Sequence, residues 1–306
     1  MSRALPRLVV TVLLLAGCAS SSDGASTTTT APGSTTTTLG ETGSIEIGPA
    51  DRPATLVAPD EVTGPAPLLL LLHGYSASSA IQDGYLGVTE QAASRGLYVL
   101  MPDGTPEAGS GKLYWDASPA CCNFGGTPVD DVGYLSGLID EAIAERPIDP
   151  DRVYVLGHSN GGFMAYRLAC ERAEQIAAIA ALAGADQTEP DECVPSEPVS
   201  VLHLHGTDDA VIRYDGGVTR APYPGALETV SRWASRDGCD DAATTVAPID
   251  LDSGIDGSET TVTVHEGCDG AAAVQLDTIE GGTHVPELPH EVVGTEVLDW
   301  LLAQSR

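Results

Sequence analysis

Basic residues are scarce in this chain. Of its 306 residues, 14 are lysine or arginine and 44 are aspartate or glutamate, which gives a formal net charge of −30 at pH 7. A surface with this charge repels nucleic-acid phosphates and anionic lipid headgroups, so we expect no nucleic-acid partner. The acid excess is interpreted as a solvated surface rather than as a binding site.

Metal-ligand spacings are also missing. The chain contains seven cysteines and seven histidines, but no C-x-x-C pair and no H-x-x-x-H pattern. The common zinc sites are therefore not expected, and nothing else in the sequence implies a metal or an organic cofactor. Apart from Cys18, six cysteines remain, and an even set in an exported chain predicts disulfides. They are Cys121, Cys122, Cys170, Cys193, Cys239 and Cys268.

No apolar run near the N-terminus is long enough to cross a bilayer. Residues 8–16 follow two arginines and form the apolar segment of a signal peptide. The segment ends in "LAGC", which resembles the lipobox of bacterial lipoproteins and predicts lipidation of Cys18. We therefore predict a lipoprotein signal peptide over 1–18, a flexible Ser/Thr-rich tether over 19–44 and one folded domain over 45–306. The protein is expected to be exported, either as a cell-surface lipoprotein or in secreted form.

Short buried strands alternate with helical segments along the folded part. This alternation predicts a mostly parallel, doubly wound α/β sheet with flanking helices, whose ligands bind at the carboxyl ends of the strands. The predicted strands are "PLLLLLHG", "LYVLMPDG", "RVYVL", "IAAIAALAG", "VSVLHLHG", "TVTVHEG" and "VQLDTIEGG". Four helices are predicted. The first covers 80–95, the second begins at Asp130, the third directly follows the strand "RVYVL", and the fourth covers the last 17 residues.

The segment "RVYVLGHSNGGFMAYRLACE" places a serine between a strand and a helix. In the pattern G-x-S-x-G, Gly157 and Gly161 lack the Cβ atoms that would collide in so sharp a turn. The turn exposes the hydroxyl of Ser159 at the start of the helix, where free N–H groups stabilise a developing oxyanion. The pattern predicts that Ser159 is a nucleophile.

A serine nucleophile needs a base and a carboxylate, and each must follow the end of a strand. His284 follows the strand that ends at two glycines and fits best as the base, with His290 as the alternative. Asp209 follows "VLHLHG" and is the preferred acid, with Asp208 as the alternative. His203 and His205 lie within a strand and are interpreted as core or loop-anchoring residues.

Two backbone N–H groups are expected to form the oxyanion hole. The N–H of Asn160 belongs to the first residue after the nucleophile, and Gly74 permits a close approach of the N–H of Tyr75.

The segments "LLHG", "DDVGYL", "LGHSNGG", "LHLHGTDDAV" and "IEGGTH" resemble the polyhydroxybutyrate depolymerase-type esterases, α/β-hydrolases related to feruloyl and acetylxylan esterases. The resemblance extends from about residue 65 to His284 and implies Ser159, Asp209 and His284 as the triad. It also implies the disulfides Cys170–Cys193 and Cys239–Cys268, which leaves Cys121 and Cys122 as a vicinal pair.

These features favour a serine esterase acting on short-chain esters of an oligomer or polymer through an acyl-enzyme. Feruloyl or acetylxylan esterase activity is the nearest alternative. A catalytically inactive, polymer-binding lipoprotein and a serine peptidase are the alternatives of other classes; the triad opposes the first and the chain length opposes the second. Trp115 is interpreted either as lining the substrate pocket or as packing in the core.

Overall fold

The computed structural model describes residues 43–306. The predicted signal peptide with Cys18, and nearly all of the predicted tether, lie outside the described residues. The boundaries between these segments therefore stay predictions. Within the described part, none of the helices is both long enough and apolar enough to cross a membrane.

The strands lie in one large sheet and two small ribbons. In chain order they are β1 (Ser44–Ile47), β2 (Ala54–Val57), β3 (Ala66–Leu72), β4 (Tyr98–Met101), β5 (Thr105–Pro106), β6 (Leu113–Tyr114), β7 (Ile148–His158), β8 (Ala178–Leu182), β9 (Ser200–Gly206), β10 (Gly217–Val218), β11 (Pro222–Tyr223), β12 (Ala243–Thr245), β13 (Thr260–His265) and β14 (Val274–Ile279).

The large sheet has ten strands in the order β1-β2-β4-β3-β7-β8-β9-β14-β13-β12. The strands from β4 to β14 in this order are parallel to one another. The outer two strands at each edge pair antiparallel. The predicted fold class, a mostly parallel, doubly wound sheet, is confirmed. The edge strands β1, β2 and β12 were not predicted, because each is only three or four residues long and none is the long continuous apolar run that identifies a strand buried on both faces.

Helices cover both faces of the sheet. They are α1 (Ser79–Leu86), α2 (Val88–Ala93), α3 (Asp131–Glu145), α4 (Asn160–Glu171), α5 (Ala226–Arg236) and α6, which runs through His290–Val292, a π-helical stretch Val293–Leu298, and Asp299–Leu302.

The single helix predicted over 80–95 is wrong, because the chain breaks into α1 and α2. Gly87 adopts a left-handed conformation (φ 62°) between them and caps α1. A Cβ at this position would also collide with the ring of His290. The break therefore occurs at a glycine cap, which helical periodicity alone does not reveal.

The leucines of β3 show how the sheet divides the core. Leu68, Leu70 and Leu72 pack on the face covered by α3, α4 and α5, whereas Leu69 and Leu71 pack on the face covered by α1, α2 and α6. Both faces of the strand are buried, which is why it reads as a continuous apolar run. Because β7, β9 and β14 are parallel, the loops that follow them lie at the same edge of the sheet.

One carboxyl group lies inside this core. Asp277 of β14 is 1% exposed, and its Oδ1 accepts a hydrogen bond from Gln275 Nε2 at 2.8 Å. Its Oδ2 has no hydrogen-bond partner within residues 43–306. Burial, opposed by the Gln275 bond and reinforced by the charge of Glu296, raises the pKa of Asp277 from 3.8 to about 7. The ionised form is therefore disfavoured in the folded state.

We expect Asp277→Asn to stabilise the protein at pH 8 but not at pH 4. The folded state keeps the Asp277 proton up to about pH 7, whereas the unfolded chain loses it near pH 4. The stability of the wild type is therefore lost as pH rises between these values, by about 2–4 kcal/mol. Denaturant unfolding at both pH values measures the difference, with exposed Asp208→Asn as the control. An equal effect of Asp277→Asn at pH 4 and pH 8 would contradict this prediction.

Candidate active site

The nucleophile turn connects β7 to α4. Ser159 has φ 55° and ψ −118°, a strained conformation for a residue with a side chain. A Cβ on Gly157 would collide with the backbone of Gly161, and a Cβ on Gly161 would collide with the backbone of Leu72. Both glycines of the G-x-S-x-G pattern are thus required by close backbone approach, as the sequence indicated.

The structure brings Ser159, His284 and Asp209 into one hydrogen-bonded row. His284 Nδ1 lies 2.7 Å from Asp209 Oδ2, and His284 Nε2 lies 3.0 Å from Ser159 Oγ. A carboxylate can only accept, so His284 Nδ1 carries a proton and donates it to Asp209. The Nε2 lone pair then faces the serine hydroxyl. This is the arrangement in which an imidazole removes a proton from a serine.

Asp209, not Asp208, provides the carboxylate of this row. Its Oδ1 accepts hydrogen bonds from Val211 N (2.7 Å) and Ile212 N (2.9 Å), and its side chain is fully buried. Burial alone raises the pKa of Asp209, but hydrogen bonds from His205 and His284 outweigh it and hold the pKa well below its usual range. Asp209 therefore remains ionised beside the imidazole.

The alternatives that the sequence left open lie outside the row. The side chain of Asp208 is exposed to solvent. His290 begins α6, where its Nδ1 lies 3.5 Å from Glu90 Oε2. Neither residue is placed to exchange a proton with Ser159.

The two expected oxyanion donors border the serine. A Cβ added to Gly74 would lie 3.4 Å from Ser159 Cβ, so the loop that carries Tyr75 packs directly against the nucleophile. The N–H of Ser159 itself donates to Leu182 O at 2.8 Å. Among the hydrogen bonds of residues 43–306, by contrast, none uses the N–H of Tyr75 or that of Asn160. Both N–H groups are therefore available to an oxygen bound at this site.

Trp115 is a packing residue, which corrects the idea that it lines the substrate pocket. Its side chain is 0% exposed, and its indole N–H donates to His73 O at 3.0 Å. The Asn160 side chain binds the Trp115 backbone twice, accepting from its N–H at 2.7 Å and donating to its carbonyl at 3.0 Å. Trp115 therefore connects the oxyanion loop, which is the segment with Gly74 and Tyr75 after β3, to the nucleophile turn.

Two further histidines, His73 and His158, support the site, although neither was predicted to have a role in it. His158 Nε2 lies 2.9 Å from the carbonyl of His284, and burial lowers the pKa of His158 to about 4. The neutral ring therefore donates a hydrogen bond that fixes the backbone of the base. His73 accepts from Gly104 N at 2.9 Å and donates to Gly74 O at 2.8 Å, which fixes the oxyanion loop. The hint in the sequence is that His158 directly precedes Ser159 and that His73 lies two residues before Tyr75.

The six cysteines form three disulfides: Cys121–Cys122, Cys170–Cys193 and Cys239–Cys268. These are the pairs that the resemblance implies. Cys170 lies near the end of α4, so its disulfide fastens the nucleophile helix to the loop that follows β8. Within residues 43–306, no cluster of three histidine, cysteine, aspartate or glutamate side chains is arranged to hold a metal ion.

The topology is that of the α/β-hydrolase fold, and Ser159, His284 and Asp209 have the mutual geometry of a serine hydrolase triad. Residues 129–230 match the family described as Phospholipase/Carboxylesterase. The acetyl xylan esterase from Aspergillus awamori has the same fold, with a TM-score of 0.59 and 16% identity, over 84% of this chain and 98% of that one.

Two curated relatives are esterases by name. The putative esterase NocK of Nocardia uniformis subsp. tsuyamanensis is 33% identical over 150 residues, which are 49% of this chain and 42% of that protein. Feruloyl esterase B of Piromyces equi is 29% identical over 228 residues, which are 72% of this chain and 39% of that protein. The aligned part of this chain thus spans less than half the length of either relative.

Proposed function

We propose that the protein hydrolyses carboxylic esters through an acyl-enzyme on Ser159. The observation that carries this proposal is the continuous row from Asp209 through His284 to Ser159, with distances of 2.7 and 3.0 Å. Similarity to the Phospholipase/Carboxylesterase family supports the ester bond as the target. A catalytically inactive binding protein would have no need for this geometry.

The reaction follows from the protonation states in the row. Ser159 Oγ attacks the ester carbonyl carbon while His284 Nε2 takes the hydroxyl proton, and Asp209 stabilises the resulting imidazolium. The N–H groups of Tyr75 and Asn160 stabilise the oxyanion of the tetrahedral intermediate. His284 then protonates the departing alcohol. A water molecule, activated by the same imidazole, releases the acid and restores Ser159.

We propose short acyl or feruloyl substituents on a plant polysaccharide as the substrate class. The relatives named as feruloyl and acetyl xylan esterases support this choice. A groove of about 670 Å³ lies beside the C-terminal part of α4, and polar side chains among its lining residues include Asn123, Gln187 and Arg220. Such side chains suit the hydroxyl groups of a sugar chain. None of the triad residues lines this groove; its link to the site is Asp116, the neighbour of the Trp115 whose backbone binds the Asn160 side chain.

We expect faster turnover of p-nitrophenyl acetate and butyrate than of the laurate. The residues that flank the acid and the base point into solvent: Val211 is 58% and Val285 is 54% exposed. A site bordered in this way buries little of a long acyl chain, and burial contributes only about 25 cal/mol per Å². Release of acetate from acetylated xylan and of ferulate from arabinoxylan tests the polymer. Faster hydrolysis of laurate than of butyrate would indicate a lipase instead.

Hydroxybutyrate oligomers are a second candidate substrate, because their repeating acyl unit is short. An open site bordered by the exposed Val211 and Val285 accepts such a unit without having to bury a long chain. We propose this activity on the resemblance to the polyhydroxybutyrate depolymerase type. Release of hydroxybutyrate from soluble oligomers, measured beside release of acetate from xylan, distinguishes the two substrates.

We also propose that the protein is exported and anchored by lipid on Cys18. The three disulfides support an oxidising compartment, and the segment "LAGC" supports lipidation. Two or more acyl chains would hold the protein firmly, because each buried methylene contributes about 0.8 kcal/mol. We expect Cys18→Ala to move the protein from the membrane fraction to the soluble fraction. If the amount of protein in the membrane fraction is unchanged, Cys18 does not anchor the protein.

A further inference from the structure

A row of hydrogen bonds through the protein interior links the nucleophile helix to the loop that carries Asp209. It begins at Tyr166 of α4, whose hydroxyl lies 2.8 Å from His203 Nδ1. His203 Nε2 lies 3.0 Å from His205 Nδ1, and His205 Nε2 lies 2.7 Å from the carbonyl of Ile212. All three side chains are buried, with at most 1% exposure.

With both imidazoles neutral, only one arrangement of protons satisfies this row. The Ile212 carbonyl can only accept, so His205 carries its proton on Nε2 and its Nδ1 must accept. His203 therefore donates from Nε2 and accepts at Nδ1 from the Tyr166 hydroxyl. Burial lowers the pKa of His203 well below its usual range, which keeps this imidazole neutral.

The row ends at the residues that hold the acid. Ile212, whose carbonyl accepts from His205, donates its own N–H to Asp209 Oδ1 at 2.9 Å. His205 Nε2 also lies 3.5 Å from Asp209 Oδ2, the oxygen that accepts from His284. A change in the proton arrangement or the orientation of His205 would therefore disturb both oxygens of the carboxylate.

We propose that Tyr166, His203 and His205 are positioning residues that fix Asp209 relative to Ser159. The row connects α4, which begins directly after the nucleophile, with the loop that follows β9. It thus spans the two elements whose relative placement determines whether His284 bridges acid and serine. Since each ring nitrogen is used, the row specifies one orientation for both imidazoles. The inference rests on the proposed ester hydrolysis.

The first test removes the hydroxyl that starts the row. We expect Tyr166→Phe to lower kcat a few-fold to about tenfold, the effect of one hydrogen bond, with KM nearly unchanged. The matched control is Tyr154→Phe, which also removes a buried hydroxyl from the core, here one that donates to Gln304 O at 2.7 Å. Tyr154 packs on the opposite face of the sheet. We expect it to lose stability without a fall in kcat.

The second test changes the residue that ends the row. We expect His205→Leu to lower kcat more than Tyr166→Phe does, and His205→Gln, whose amide N–H can still reach Ile212 O, to restore part of the loss. Rates are expressed per folded, reactive site, counted with a fluorophosphonate that Ser159 attacks with loss of fluoride. The rate of this labelling is a second measure of nucleophile reactivity that does not depend on the ester chosen.

The possible outcomes separate this inference from the proposed function. If the wild type neither reacts with the fluorophosphonate nor hydrolyses esters, the proposed function is wrong, and the inference fails with it. A reactive wild type whose labelling rate and kcat are unchanged in Tyr166→Phe and His205→Leu would overturn the inference alone. Equal losses of kcat in Tyr154→Phe and Tyr166→Phe, or equal losses in the leucine and glutamine variants, would also overturn it, because they would show a merely structural role.

Discussion

Replacing Ser159 with alanine is expected to abolish hydrolysis of p-nitrophenyl acetate. The loss of the nucleophile prevents formation of the acyl-enzyme, and a loss of about 10⁴- to 10⁶-fold in kcat is typical of this change in serine hydrolases. The thermal transition should remain close to that of the wild type. This is because the Ser159 hydroxyl makes its hydrogen bond to His284, whose side chain is itself partly exposed to solvent, so the loss of this bond costs little stability.

A matched serine elsewhere in the chain provides the control. Ser136 of α3 is partly buried, and its Oγ donates to Gln175 Oε1 at 2.7 Å, away from the triad. Ser136→Ala should keep full activity. If Ser159→Ala retained more than a few per cent of wild-type turnover, Ser159 would not be the nucleophile, and the function proposed above would fail.

The change of Asp209 to asparagine is expected to lower kcat by about 10⁴-fold while the fold persists. The carbonyl oxygen of the introduced amide can still accept from Val211 N and Ile212 N, which bind Oδ1 in the wild type. The amide nitrogen then takes the place of Oδ2 and donates to His284 Nδ1. The imidazole is forced to carry its proton on Nε2, where it can no longer accept one from Ser159.

Asp208→Asn is the control for this prediction, because it makes the same chemical change one residue away on an exposed side chain. We expect its kcat to stay within about twofold of the wild type, as for an exposed residue outside the site. Steady-state kinetics of both variants, with circular dichroism to verify folding, shows which of the two aspartates is the acid of the triad. Loss of activity in Asp208→Asn with retention in Asp209→Asn would reverse the assignment of the acid.

The strands and the nucleophile turn could be predicted from the sequence because their signals are local. A strand buried on both faces appears as an apolar run, as in β3, and the turn at Ser159 appears as two glycines at fixed spacing. The order of serine, acid and histidine also follows from strand order alone. Elements without a strong local pattern, such as β12, were missed because pairing with a neighbouring strand defines them.

The choice between neighbouring candidates could not be made from the sequence. Asp208 and Asp209 are chemically identical and both follow β9, and only the path of the loop determines which side chain turns inward. A tryptophan is typical both of substrate pockets and of protein cores, so the sequence left both roles open for Trp115. Its burial depends on hydrogen bonds with Asn160 and His73, which lie far from it in the chain.

The sequence by itself determined the alternation of strands and helices, the identity of the serine and histidine candidates, and the acidic surface. Each of these depends on residue type and short-range spacing. Only the tertiary structure decided which carboxylate meets His284, and it alone revealed that Tyr166, His203 and His205 form a row behind that carboxylate. The physical reason is that a hydrogen bond constrains position to a few tenths of an ångström, and that precision arises from packing between elements distant in the chain.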